Sequence, residues 1–270
     1  MSNRSYSFDC KQIHGQLVKL GAVELDYAVG NKLALLYMKS RELLHDARQV
    51  FDEMPERTYR LYAGLIGSYS QAGRWVEVFS VLGVMILDEM LPDMYLVHAI
   101  LRACGAVEFL RYGQMVHGFV LKRDTADLFV GNSVIDFYSK CGESDYARCW
   151  FDMMREKDVV SWTVLVTTYM EFELPYEGYE VFKSLCFDGV NPDLVSWNAV
   201  ISGFVRNGYV RMAFCLMEEM KESGLDPNIT TWNGLISGCV HSECYNDGLR
   251  AFMKMLLFQK PNAATLVVDP

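Results

Sequence analysis

Val195-Ser-Trp-Asn-Ala-Val-Ile-Ser-Gly-Phe-Val-Arg-Asn-Gly208 is the stretch on which the fold turns. Trp197, Val200, Ile201 and Phe204 recur at i, i+3, i+4 and i+7, the spacing of one face of an α-helix. Asn207-Gly208 is a turn signal. Beyond it Ala213, Leu216, Met217 and Met220 resume the same period. The phrase therefore predicts two amphipathic helices joined by a short turn. It returns 35 residues away on either side, as Val160-Ser-Trp-Thr163 and Thr230-Thr-Trp-Asn233, so that Trp162, Trp197 and Trp232 stand in register. The upstream copy adds Leu165, Val166 and Tyr169. The downstream copy adds Leu235, Ile236 and Cys239, then a predicted second apolar set of Leu249, Phe252, Met253 and Leu256.

Working outward, the chain divides into copies at Tyr27–Thr58, Tyr59–Asp93, Met94–Asp127, Leu128–Asp158, Val159–Asp193, Leu194–Asn228 and Ile229–Asn262. Residues 1–26 read as the second half of a partial copy, because Gln12-Ile-His14-Gly15 echoes Met115-Val-His117-Gly118. Residues 263–270 read as the start of a truncated one. A longer period is also present: Val29-Gly-Asn31 with Tyr37 recurs as Val130-Gly-Asn132 with Tyr138, so short and long copies alternate. Pro92, Pro192, Pro227 and Pro261 stand one residue before a copy ends, where proline is expected to stop the second helix. A lone helical pair cannot bury its apolar stripe, so such copies stack. The expected fold class is all-α: a right-handed superhelical solenoid of helix-turn-helix repeats.

Composition excludes several alternatives. In 270 residues with 51% hydrophobic content, a disordered tail or low-complexity linker is ruled out. The net charge of −9 argues against binding a polyanion by bulk attraction. Eight cysteines with no C-x-x-C pair are too dilute for a disulfide scaffold, and buried thiols are expected. The longest apolar run, Val78–Leu87, is well short of a membrane span. Met1–Cys10 has the character of neither a signal peptide nor a transit peptide, so any organellar address is expected to lie outside this sequence.

The opening phrase, together with Phe51-Asp-Glu-Met-Pro-Glu-Arg57 closing a short copy and Gly224-Leu-Asp-Pro-Asn228 closing a long one, resembles the plant pentatricopeptide repeat family. The alternation, with Phe129-Val-Gly-Asn-Ser-Val-Ile-Asp-Phe-Tyr-Ser-Lys-Cys-Gly142 as the short type, resembles its PLS subclass. The resemblance implies binding of single-stranded RNA in chloroplasts or mitochondria, one base per copy, and specification of sites for cytidine-to-uridine editing or other processing. It implies no cofactor and no metal. The partners it implies are single-stranded organellar RNA and a deaminase or other editing-complex protein in trans. A membrane and a small-molecule substrate are not expected.

By the same resemblance, the fifth and last residues of each copy read the base edge. Asn132 with Asp158 reads U, Thr163 with Asp193 reads G, and Asn198 with Asn228 and Asn233 with Asn262 read C or U, giving 5′-U-G-Y-Y-3′. Amides and hydroxyls suit that task because they donate or accept. The pairs Asn31 with Thr58, Ala63 with Asp93 and His98 with Asp127 receive no base. The second residues, Phe129, Val160, Val195 and Thr230, are the implied stacking positions. At the thirteenth position, Lys39, Lys140 and Arg206 are the implied phosphate contacts, interrupted by Glu171.

A deaminase would need H-x-E with a later P-C-x-x-C. His241-Ser-Glu243 has no such partner, His241 holds a thirteenth position and Cys239 the core stripe, so the chain is read as non-enzymatic. Two readings stay open: an RNA binder that positions an editing or processing activity, and a helical scaffold for protein–protein interaction.

Overall fold

The computed structural model describes residues 12, 13, 15, 16, 27–54, 56–123 and 127–258, all outside strands. The described residues form two compact units, Met1–Ala126 and Asp127–Pro270. In the N-terminal unit α1 (Tyr27–Tyr37), a single 3₁₀ turn (Arg41–Leu43) and α2 (Leu44–Glu53) are followed by two further pairs. These are α3 (Tyr59–Ala72) with α4 (Trp75–Leu87), and α5 (Met94–Ala106) with α6 (Leu110–Arg123). The C-terminal unit holds α7 (Leu128–Lys140) and α8 (Ser144–Met153), α9 (Val159–Glu171) and α10 (Pro175–Phe187), α11 (Leu194–Arg206) and α12 (Val210–Glu222), and α13 (Ile229–His241) with α14 (Tyr245–Phe258).

Within each unit every odd-numbered helix packs on its own partner and on the next odd-numbered helix. In each unit the odd helices thus form a layer and the even helices back it, which is the all-α solenoid class. The residue at the fourth place of α3, α9 and α11 explains how these helices lock to the preceding pair. Tyr62 packs edge-on against Phe51 with centroids 5.1 Å apart, Trp162 against Phe151 at 4.7 Å and Trp197 against Phe182 at 4.7 Å. Each such contact joins one helix pair to the next and is worth about 0.5–1.5 kcal/mol beyond the area it buries. Side chains also tie the pairs by taking carbonyls that a helix end leaves without an internal partner. Asn207 Nδ2 donates to Met170 O at 3.0 Å, and Ser242 Oγ donates to Val205 O at 3.0 Å.

Three expectations are corrected here. The prolines do not stop the second helices: α4, α10 and α12 end at Leu87, Phe187 and Glu222. Glu89, Gly189 and Gly224 then turn the backbone with φ of 56°, 75° and 86°, three residues before Pro92, Pro192 and Pro227. The left-handed residue ends the helix, and the proline sits in the extended link ahead of the next cap. On α14 the buried residues are Gly248, Ala251 and Met255, whereas Leu249, Met253 and Leu256 are exposed. Small residues fill the register that Ala213, Leu216 and Met220 hold on α12, so residue size misled the pattern. Among the described cysteines only Cys104 and Cys239 are buried, while Cys149, Cys186 and Cys215 are exposed on even-numbered helices.

Candidate nucleic-acid interface

From α3 onward each odd helix buries its third, fourth, seventh and eighth residues. In α11 these are Ser196, Trp197, Val200 and Ile201. At about 100° per residue the second, fifth, sixth, ninth and thirteenth places then share the opposite, open face. Apart from Lys39, which lies in the turn after α1, the residues singled out as base readers, stackers and phosphate contacts that the structure describes lie on this face or at the helix start beside it.

Through Asn228, the last residue of each copy is the N-cap of the next odd helix. Asp93 accepts from Leu96 N at 2.9 Å and Asp127 from Val130 N at 2.8 Å. Asp158, Asp193 and Asn228 form complete capping boxes with Ser161, Ser196 and Thr231. Burial pushes the Asp158 carboxyl up, but bonds from the Ser161 N–H and hydroxyl and from the Asn132 amide outweigh it and hold the group below the usual carboxylate range.

The fifth residues meet these caps unequally. Asn132 Nδ2 donates to Asp158 Oδ1 at 3.5 Å, while its Oδ1 is buried and has no partner among the described residues. Asn198 is turned the other way: its Oδ1 accepts from the Thr231 hydroxyl at 2.6 Å. Its Nδ2 is thereby left, among the described residues, without a hydrogen bond. The Thr163 hydroxyl donates to Val159 O at 2.7 Å, keeping its lone pairs for an incoming donor. Asn31 accepts from the Thr58 hydroxyl at 3.0 Å. Asn233 lies on the same face of α13; its partner Asn262 is outside the described residues.

At the second place Phe129 is 51% exposed, and Val160, Val195 and Thr230 are exposed as well. Sequence reasoning passed over Tyr95, which holds the same place on α5 and is 55% exposed. Its register alone would have found it. Of the phosphate candidates, Lys39 and Arg206 are exposed. Lys140 Nζ lies 2.6 Å from Asp136 Oδ2, in a cleft of about 140 Å³ that Thr163, Thr167 and Glu171 also line. Lys140 is thus paired with Asp136, and Glu171 adds a second carboxylate to its cleft. His241 is exposed at the end of α13, and Cys239 beneath it is buried, its thiol pushed up to about 11 by burial.

In each unit a layer of odd helices backed by even helices defines a helical-repeat protein. The model of the PPR repeat family matches residues 192–241, and the PPR repeat model matches residues 61–90, 132–159 and 230–258. The chain belongs to the pentatricopeptide repeat family. One pentatricopeptide repeat-containing protein of Arabidopsis thaliana is 36% identical over 170 residues, covering 63% of this chain and 19% of its own length. A chloroplastic one from the same plant is 32% identical over 183 residues, 67% of this chain and 22% of its own. A mitochondrial one is 32% identical over 186 residues, 68% of this chain and 39% of its own. The chain thus spans between about a fifth and two fifths of the length of these relatives. The crystal structure of the pentatricopeptide repeat protein PPR10 from maize superposes with a TM-score of 0.68 at 18% identity, covering 94% of this chain and 40% of that one. PPR10 in complex with an 18-nt psaJ RNA element gives 0.59 at 20% identity over 98% and 45%.

Proposed function

We propose that the chain is a sequence-specific single-stranded RNA binder of a plant organelle, reading one base per copy and marking sites for cytidine-to-uridine editing or other transcript processing, in the manner of the PLS subclass. The observation that carries this reading is the position of the fifth residues. Asn132 bonds the cap Asp158, Asn198 bonds Thr231, the capping-box partner of Asn228, and Thr163 holds the same register on α9, each on the open face of its helix, with a hydrogen-bonding atom to offer at Thr163 and Asn198. The caps alone do not carry it, because a helix start favours Asp and Asn with or without RNA. Nothing in helix formation asks for Asn at the fifth place. Family membership and the RNA complex of PPR10 support the reading, and the chloroplastic and mitochondrial relatives support an organellar site. The copies as divided above, 27–58 through 229–262, are the proposed reading units, and any deaminase acts in trans or from a further part of the protein.

The test is binding of the chain to labelled single-stranded RNAs containing U-G-Y-Y or its scramble. Asn198→Thr combined with Asn228→Asp should move the preference at one position from pyrimidine to G, since Asp caps as well as Asn and the fold is undisturbed. Unchanged preference in that variant would overturn the base assignment. No binding at low salt would favour the protein scaffold, for which exposed apolar residues on even helices, such as Phe187 at 88% exposure, give an opening.

A further inference from the structure

The odd helices of the N-terminal unit carry a charge pattern absent from those of the C-terminal unit. Lys32, Arg60 and Arg102 are the only Lys, Arg, Asp or Glu residues in α1, α3 and α5. All three are exposed. Counted from the helix starts they hold the sixth, second and ninth places, and Lys39 holds the thirteenth after Tyr27. On a helix the sixth, second and ninth places fall within an arc of about 60°, opposite the buried Leu61, Tyr62, Leu65 and Ile66 of α3; Lys39 lies in the turn that follows α1. In a chain of net charge −9 such a row, with no carboxylate on its helices, runs against the composition. The corresponding face of α7, α9, α11 and α13 carries Lys140, paired with Asp136, together with Glu171 and the exposed Arg206, so its two Lys and Arg residues stand with two carboxylates.

The surface between the cations suits a chain of stacked bases. Ala63 and Gly67 present little side chain along α3, and a Cβ on Gly67 would meet Tyr95 Oη at 3.5 Å, so the exposed Tyr95 lies against Gly67. The Arg102 guanidinium is held 5.8 Å from the centre of the Trp75 ring. Guanidinium groups and ammonium groups on a shallow aromatic surface are what a sugar-phosphate backbone requires.

We propose that the open face of α1, α3 and α5 is a backbone grip for single-stranded RNA: Lys32, Arg60 and Arg102, with Lys39, meet phosphates irrespective of sequence, and Tyr95 stacks on a base. The proposal rests on the RNA-binding reading above. It accounts for how an acidic chain holds a polyanion when the three copies of this unit have no defined base pair. The grip adds affinity, and the Asn and Thr readers of residues 127–258 add preference.

The experiment uses the whole chain and the variant Lys32→Ala/Arg60→Ala/Arg102→Ala, whose substitutions are all on the surface, with circular dichroism to check the fold. Binding to labelled U-G-Y-Y RNA and to oligouridine is followed by fluorescence anisotropy across salt. The variant should lose about tenfold or more for both RNAs at low salt. Its salt slope should be shallower by about 2, at about 0.7 per lost phosphate contact, with preference for U-G-Y-Y over its scramble unchanged. Tyr95→Ala should weaken both RNAs several-fold without altering the slope. If the triple variant keeps wild-type affinity and slope while Asn198→Thr/Asn228→Asp still changes preference, the grip is overturned and the RNA reading stands. If the wild type binds no RNA at low salt, both fall. An acidic peptide bound by the wild type and not by the triple variant would give this face to a protein partner and overturn the grip.

Discussion

Asp158 serves two partners at once: its Oδ1 accepts from Ser161 N at 2.8 Å, closing the start of α9, and from Asn132 Nδ2 at 3.5 Å. Replacing it with alanine removes the cap and should cost about 1 kcal/mol at neutral pH. Because its folded carboxyl titrates below the usual range, Asp158 contributes stability that is present above the unfolded value of about 3.9 and is lost as pH falls through the folded one. The gap between wild type and Asp158→Ala in urea unfolding should therefore be widest at neutral pH and narrow below about pH 4. A gap that is flat or widens with acid would contradict the assignment. The double duty also explains why sequence alone left reader and cap indistinguishable: Asp158, Asp193 and Asn228 are legible as recurring at one register, but one side-chain oxygen satisfies both roles. Tyr95 escaped for a different reason. It stands three residues before His98, in a copy whose fifth and last residues match no defined base pair, so nothing else in that copy marked it.

Six turns between an odd helix and its partner place a residue with positive φ at the same register. They are Gly73, Glu108, Gly142, Glu173, Gly208 and Glu243, so glycine alternates with glutamate. Left-handed backbone costs a residue with a side chain about 1–2 kcal/mol, part of which glycine forfeits through its freer unfolded chain. Glu173→Gly or Glu243→Gly should thus stabilise by about 0.5–1 kcal/mol, seen as a raised melting temperature, and Gly208→Glu should destabilise by a similar amount. Close approach sets a second limit on glycine. A Cβ on Gly203 would lie 2.4 Å from Met170 Cγ, and one on Gly238 would lie 2.1 Å from Val205 Cγ1, where adjacent odd helices press together. Gly238→Ala should cost about 1–3 kcal/mol by overpacking, because β-branched Val205 is stiff and cannot swing aside. Turn position and helical period were plain in the residues of this chain, from Trp197 through Phe204 to Asn207-Gly208. The left-handed glutamates were not, because glutamate is an ordinary helix former whose φ is imposed by the hairpin geometry. Nor was the true buried set of α14, where Gly248 and Ala251 carry too little apolar signal beside Leu249 and Met253.

In stacked repeats each pair of helices gains stability from its neighbours, so unfolding follows the units within which contact is dense. Residues 1–126 and 127–270 are two such units. They are built unequally: α9, α11 and α13 each start with a complete capping box, while Thr58 ahead of α3 makes no side-chain cap bond. Unfolding of the chain should accordingly depart from a single two-state transition, with the C-terminal unit the last to open. Hydrogen exchange read peptide by peptide measures this directly. Amides of α9, α11 and α13 should be protected longer than those of α1 and α3. Gly238→Ala should then lower protection across α11–α14 and leave α1–α4 as in the wild type, because its steric cost is confined to the α11–α13 contact. Equal loss of protection in both sets of peptides would mean that the chain opens as one cooperative body. The same division gives RNA a separate signature. If the grip lies on α1, α3 and α5, adding oligouridine should raise protection in those helices of the wild type and not of Lys32→Ala/Arg60→Ala/Arg102→Ala, since a ligand stabilises only the segment whose folded form it binds.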